Sequence, residues 1–77
     1  MENLASIFGK GAWDVLKEMH LDIISVNADT RTCDLVLGGI EYRITRAQHR
    51  EWHAVTTGYW WTFGSQWELL AWIGDRL

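Results

Sequence analysis

"LDIISVNADTRTCDLVLGGIEYRIT", residues 21–45, decides the fold. Its apolar residues recur with period 2, and Gly38-Gly39 between two such runs is a hairpin signal, because a two-residue loop needs positive φ values. Closing the hairpin there sets the register. Leu37 faces Ile40, Leu35 faces Tyr42 and Cys33 faces Ile44 on one side, while Asp34 faces Arg43 and Val36 faces Glu41 on the other. One turn assignment thus gathers the large apolar pairs on one face and sets an opposite-charge pair behind them. A loop of about four residues, Ala28 to Arg31, brings the preceding run alongside and places Ile24 and Val26 beside Leu35 and Cys33. The expected unit is a three-stranded antiparallel meander.

Upstream, residues 3–19 carry Leu4, Phe8, Ala12, Val15 and Met19 at spacings of three and four, the mark of a helix. Gly9 and Gly11 weaken its interior and point to a break near "GKG". Lys10, Asp14, Lys17 and Glu18 form the polar side, and Trp13 shares it. Downstream, "TRAQ" (Thr45 to Gln48) fits a capping box opening a short helix from Arg46 to about Ala54, with an extended "HAVTT" as the alternative. "GYWWTF" reads as a fourth strand, aiming Tyr59, Trp61 and Phe63 one way and Trp60 and Thr62 the other. "SQWE" (Ser65 to Glu68) is a second capping box and starts a C-terminal helix. Its apolar face comprises Trp67, Leu69, Leu70, Ala71, Ile73 and Leu77, leaving Trp72 outside among Glu68, Asp75 and Arg76.

The expected fold is therefore α+β: an N-terminal helix, a three- to four-stranded antiparallel meander and a C-terminal helix. Both long helices pack on the sheet face that Leu35, Leu37, Ile40, Tyr42 and Ile44 supply. At 77 residues the chain has apolar surface for one core, so residues 1–77 form a single domain. One cysteine excludes an internal disulfide, and the ten aromatics take over that stabilising role, each worth roughly 2 to 3 kcal/mol when fully buried. The opening "MENLASIFGK" has an acid, no basic n-region and no long apolar run, so neither a secretory signal nor a membrane span is expected. With an unpaired cysteine this favours the cytoplasm. A net charge of −3 argues against a general nucleic-acid binder, which needs a basic face.

No catalytic constellation outweighs its structural reading. His49 and His53 in "HREWH" stand one helical turn apart, which suits a metal ion, but the motif matches no zinc signature and Arg46 and Arg50 oppose a cation. No metal or other cofactor is expected. Cys33 points into the core between Val26 and Ile44 and reads as an inert thiol. "FGSQW" lacks the second glycine of a nucleophile elbow, and "FGKGAWD" is neither a P-loop nor a dinucleotide fingerprint.

Two features remain. One is the basic cluster of Arg31, Arg43, Arg46 and Arg50, which suits an anionic partner. The other is Trp13, Trp60 and Trp72, each off the core face of its own element, and tryptophan is enriched at binding hot spots. The leading expectation is a non-enzymatic protein-binding module. It would cover the surface of a larger host protein with these tryptophans and an acidic rim of Asp14, Glu18, Asp22, Glu68 and Asp75. Small acidic domains without catalytic groups are common among phage-encoded inhibitors of host systems, anti-CRISPR proteins included, which act by steric or surface-charge blocking. The alternatives are a nucleic-acid-associated regulator built on the arginines and a homodimer that buries the outer tryptophans across a two-fold axis.

Overall fold

A computed structural model describes residues 7–48 and 51–77. The architecture is α+β in two layers, with a five-stranded antiparallel sheet carrying helices on one face. Helix α1 (Lys10–Leu16) runs into a 3-10 turn (Lys17–Met19). Five strands follow as a simple meander in sheet order: β1 (Asp22–Asn27), β2 (Thr32–Leu37), β3 (Ile40–Gln48), β4 (Glu51–Thr56) and β5 (Tyr59–Phe63). Helix α2 (Gln66–Arg76) closes the described chain.

The β2–β3 hairpin has the register that Gly38-Gly39 dictates, with Leu37 opposite Ile40, Leu35 opposite Tyr42, Cys33 opposite Ile44 and Asp34 opposite Arg43. Both glycines sit at positive φ, 57° and 84°. At the other end of β2, Val26 lies opposite Cys33 as expected, but Ile23 and not Ile24 lies opposite Leu35. A bulge between Ile23 and Ser25 absorbs the extra residue and turns Ile24 out to solvent.

The helix expected over Arg46 to Ala54 does not form. β3 continues through Gln48, and the "HAVT" stretch that could be extended belongs to strand β4. Alternation along β4 buries Trp52 and Ala54 on the helix-covered face and turns His53 and Val55 outward. Packing against the core outweighs the local capping signal at Thr45, because a helix here would leave Trp52 on a largely polar surface. Leu4, His49 and Arg50 lie outside the described residues.

The expected break in the first helix falls at Gly9, whose φ of 87° interrupts the helical run between Phe8 and Lys10. Phe8, Ala12 and Leu16 are buried at successive spacings of four, and the resulting stripe leaves Val15 exposed. They meet Cys33, Leu35, Leu37, Tyr42 and Ile44 of the sheet and Leu69, Leu70 and Ile73 of α2 in one core. Ile40, beside the turn, is exposed. The second capping box forms: Ser65 Oγ accepts the Glu68 N–H at 3.2 Å. The Glu68 carboxylate reaches one residue beyond the cap and accepts the Gly64 N–H at 2.9 Å. Among the described residues no helix is long and apolar enough to cross a membrane.

Candidate functional site

The tryptophans divide differently from their sequence phases. Trp72, expected outside the apolar face of α2, is buried at 8% exposure, which removes it from the partner-binding set. It is the hub of an aromatic cluster under the sheet, with ring centroids 5.0 Å from Tyr42, 5.1 Å from Trp61 and 5.5 Å from Phe63. The Arg76 guanidinium lies 4.0 Å from the Trp72 ring centroid and 5.0 Å from that of Trp61, with Nη1 donating to the Trp72 carbonyl. This places a cation on the ring faces, where the quadrupole attracts it. The charged neighbour that marked Trp72 as solvent-facing is in fact its cover.

Trp67 and Tyr59 show the reverse correction. Trp67, assigned to the core face, is 55% exposed and reaches across toward Gly11 of α1. Tyr59 is 68% exposed and stacks on Trp61 at 6.2 Å. Its inward parity counts for little at the first position of the last strand, where the sheet ends. That edge position was the available signal for Tyr59. Trp13 is half-buried, stacked on Phe8 at 6.3 Å and packed against the core. Trp60 is 67% exposed on the sheet face away from the helices, its ring 6.1 Å from that of His53.

The surface with large aromatics side by side is therefore the β5 edge, where Tyr59 and Trp60 are consecutive and point to opposite faces. β5 is bonded to β4 along five consecutive pairs, from Thr56 opposite Tyr59 to Trp52 opposite Phe63. It is the last strand of the sheet, so among the described residues its other side carries no strand partner.

The acidic residues have local work. Asp14 pairs with Lys17 at 3.3 Å, and the Glu68 carboxylate serves the helix start described above. Glu18, Asp22 and Asp75 are exposed. On the open face, Arg43 forks onto Asp34 with Nε and Nη2 at 2.9 and 3.2 Å, and Ser25 Oγ adds a third bond to the same carboxylate. The hydrogen bond from Arg43 holds Asp34 below its ordinary carboxyl value, and Asp34 in turn raises Arg43.

The arginine cluster is thus partly committed. The Arg46 guanidinium lies over the Trp52 ring at 5.2 Å, and the Arg46 backbone N–H donates to the Arg31 carbonyl at 3.0 Å. Arg31 is exposed in the β1–β2 turn at φ 55°. His53, the described member of the histidine pair, is in an extended strand, so the one-turn helical spacing that suggested a metal does not exist. Its Nε2 lies 2.7 Å from Glu51 Oε2. Among the described residues no group of three or more His, Cys, Asp or Glu side chains is placed to hold a metal ion. Burial pushes the Cys33 thiol up to about 12, as an inert core cysteine requires. Neither a protein-family model, nor a curated protein, nor a solved structure matches the chain.

Proposed function

We propose that the chain is a non-enzymatic protein-binding module that docks through the aromatic edge of β5. The carrying observation is the pair Tyr59 and Trp60, consecutive on an edge strand and 68% and 67% exposed. Exposed tryptophan and tyrosine are the side chains from which hot spots are built, since each removes a large rigid surface from water at low entropic cost. An edge strand adds a row of backbone donors and acceptors to those rings, the combination used when one protein extends another's sheet. A negative net charge favours a protein surface over a phosphate backbone, and the fork of Arg43 onto Asp34 withdraws one of the cations that a nucleic acid would need.

The test is affinity capture from the native host's lysate with wild type, Trp60→Ala and Tyr59→Ala, beside Trp67→Ala as an exposed aromatic off the edge. Loss of a hot-spot ring is expected to weaken retention by about tenfold or more for the two edge variants, with Trp67→Ala close to wild type. Prey held equally by the wild type and both edge variants would refute the assignment.

A further inference from the structure

We propose that the partner taken at this edge is a second copy of the chain, paired antiparallel along β5 about a two-fold axis at Trp61. The proposal rests on the protein-binding reading and names its partner. The two edges of the sheet are built differently. β1 carries devices that keep an edge from pairing: the bulge at Ile24 interrupts its ladder, and Asp22 stands at its start. The Asn27 side chain is folded over the turn that follows, accepting from the N–H groups of Asp29 and Thr30. β5 has no charge, no proline and no register shift. An edge of that kind is a template for another strand.

Its composition selects itself as the occupant. Across a two-fold axis a residue meets its own copy or a close neighbour, so charge near the axis meets charge. β5 alone among the five strands lacks Asp, Glu, Lys and Arg, and the cation nearest Trp61, that of Arg76, is engaged within its own copy by the Trp61 and Trp72 rings and the Trp72 carbonyl.

The register follows from the turn. Thr57-Gly58 is a two-residue loop, and the bond that closes such a turn joins Thr56 to Tyr59. Alternation then directs the N–H and C=O groups of Tyr59, Trp61 and Phe63 at β4 and those of Trp60 and Thr62 outward. Pairing about Trp61 sets Trp60 against the second copy's Thr62, and Thr62 against the second copy's Trp60, so every outward group is satisfied. The exposed parts of Tyr59 and Trp60 offer at most about 270 Å² of ring surface per copy against the ~800 Å² that a standard interface takes from each partner, and edge-to-edge pairing covers their flanks. The backbone edge, Thr62 and half-buried Trp61 add to it. Because β1 is guarded, growth stops at two copies and the assembly closes.

Sedimentation equilibrium on the intact chain at tens of micromolar tests this, with twice the chain mass expected for wild type. Thr62→Pro removes an outward N–H and leaves the bonds to β4 in place; Trp60→Lys puts a charge on the edge. Each is expected to raise the dimer dissociation constant by about tenfold or more, with an unchanged far-UV circular dichroism spectrum. Amide exchange on wild type provides the readout if a variant misfolds: the Trp60 and Thr62 amides should gain protection as concentration rises. A wild-type monomer, a dimer unaffected by both folded variants, or edge amides unprotected in the dimer overturns the proposal. A monomer that still loses a different protein partner through Trp60→Ala overturns self-pairing alone; retention of that partner by the edge variants overturns the protein-binding reading as well.

Discussion

Cys33 and Asp34 are neighbours in the chain and live in opposite environments, because successive side chains on a strand point to opposite faces. Burial raises the Cys33 thiol, while the fork from Arg43 lowers Asp34 from its ordinary value of 3.8. A carboxyl whose folded value is depressed contributes stability that is fully present above its unfolded value and is lost as pH falls through the folded value. Urea unfolding of wild type and Asp34→Asn should therefore differ at pH 6 and converge as pH drops below 3.8. A difference that persists undiminished in acid would show that the substitution acts through packing and not through the ion pair. The pair was legible from the sequence once the turn was placed, because the hairpin register alone sets Asp34 opposite Arg43.

At the scale of the element, the β2–β3 turn separates two effects that a pair of glycines usually confounds. Gly38 and Gly39 both have positive φ, so alanine is strained at either position. A Cβ on Gly38 would also meet the backbone carbonyl oxygen of Arg76 at 2.8 Å, whereas one on Gly39 would meet nothing within 4 Å. The turn is thus packed against the end of α2. Gly39→Ala should cost about 1 to 2 kcal/mol from backbone strain, and Gly38→Ala more, because the helix end must also shift. Thermal unfolding of the two variants, with equal losses as the contrary result, decides the matter.

Other elements were less legible. The Gly-Gly turn announces itself chemically, but the β1 bulge falls at Ile23-Ile24, two like residues of which either satisfies the apolar pattern. β4 was hidden by a capping motif at Thr45 that tertiary packing of Trp52 overrides, although the alternation of Trp52, Ala54 and Thr56 before Thr57-Gly58 was there to be read. On α2, Trp72 stands about 60° from Leu69 and Trp67 about 160° from it, so phase alone favours burying Trp72. The charge of Arg76 misled, since a guanidinium stacked on a ring is part of the packing.

At the scale of the whole molecule, the described residues close one sheet face with helices and leave the other open, with the exposed pair Tyr59 and Trp60 at one end of the sheet. This layout assigns the tryptophans to different free energies, which the sequence alone could not do because it does not show where the sheet ends. Trp72 joins α2 to β3 and β5 through Tyr42, Trp61 and Phe63, and a chain of this size keeps only about 3 to 5 kcal/mol of net stability. Removing a buried tryptophan costs about that much, so Trp72→Ala should lose near-UV circular dichroism and a cooperative urea transition at 25 °C. Trp60 has little to lose on truncation, and Trp60→Ala should stay within about 0.5 kcal/mol of wild type when both are measured as dilute monomers. Raising protein concentration then adds a second difference. If β5 pairs, the wild-type midpoint climbs with concentration and that of Trp60→Lys does not, since association stabilises only the chain that associates. A Trp72→Ala protein that unfolds like wild type would move the centre of the core away from the α2–β5 junction, and with it the reason that Tyr59 and Trp60 are left outside.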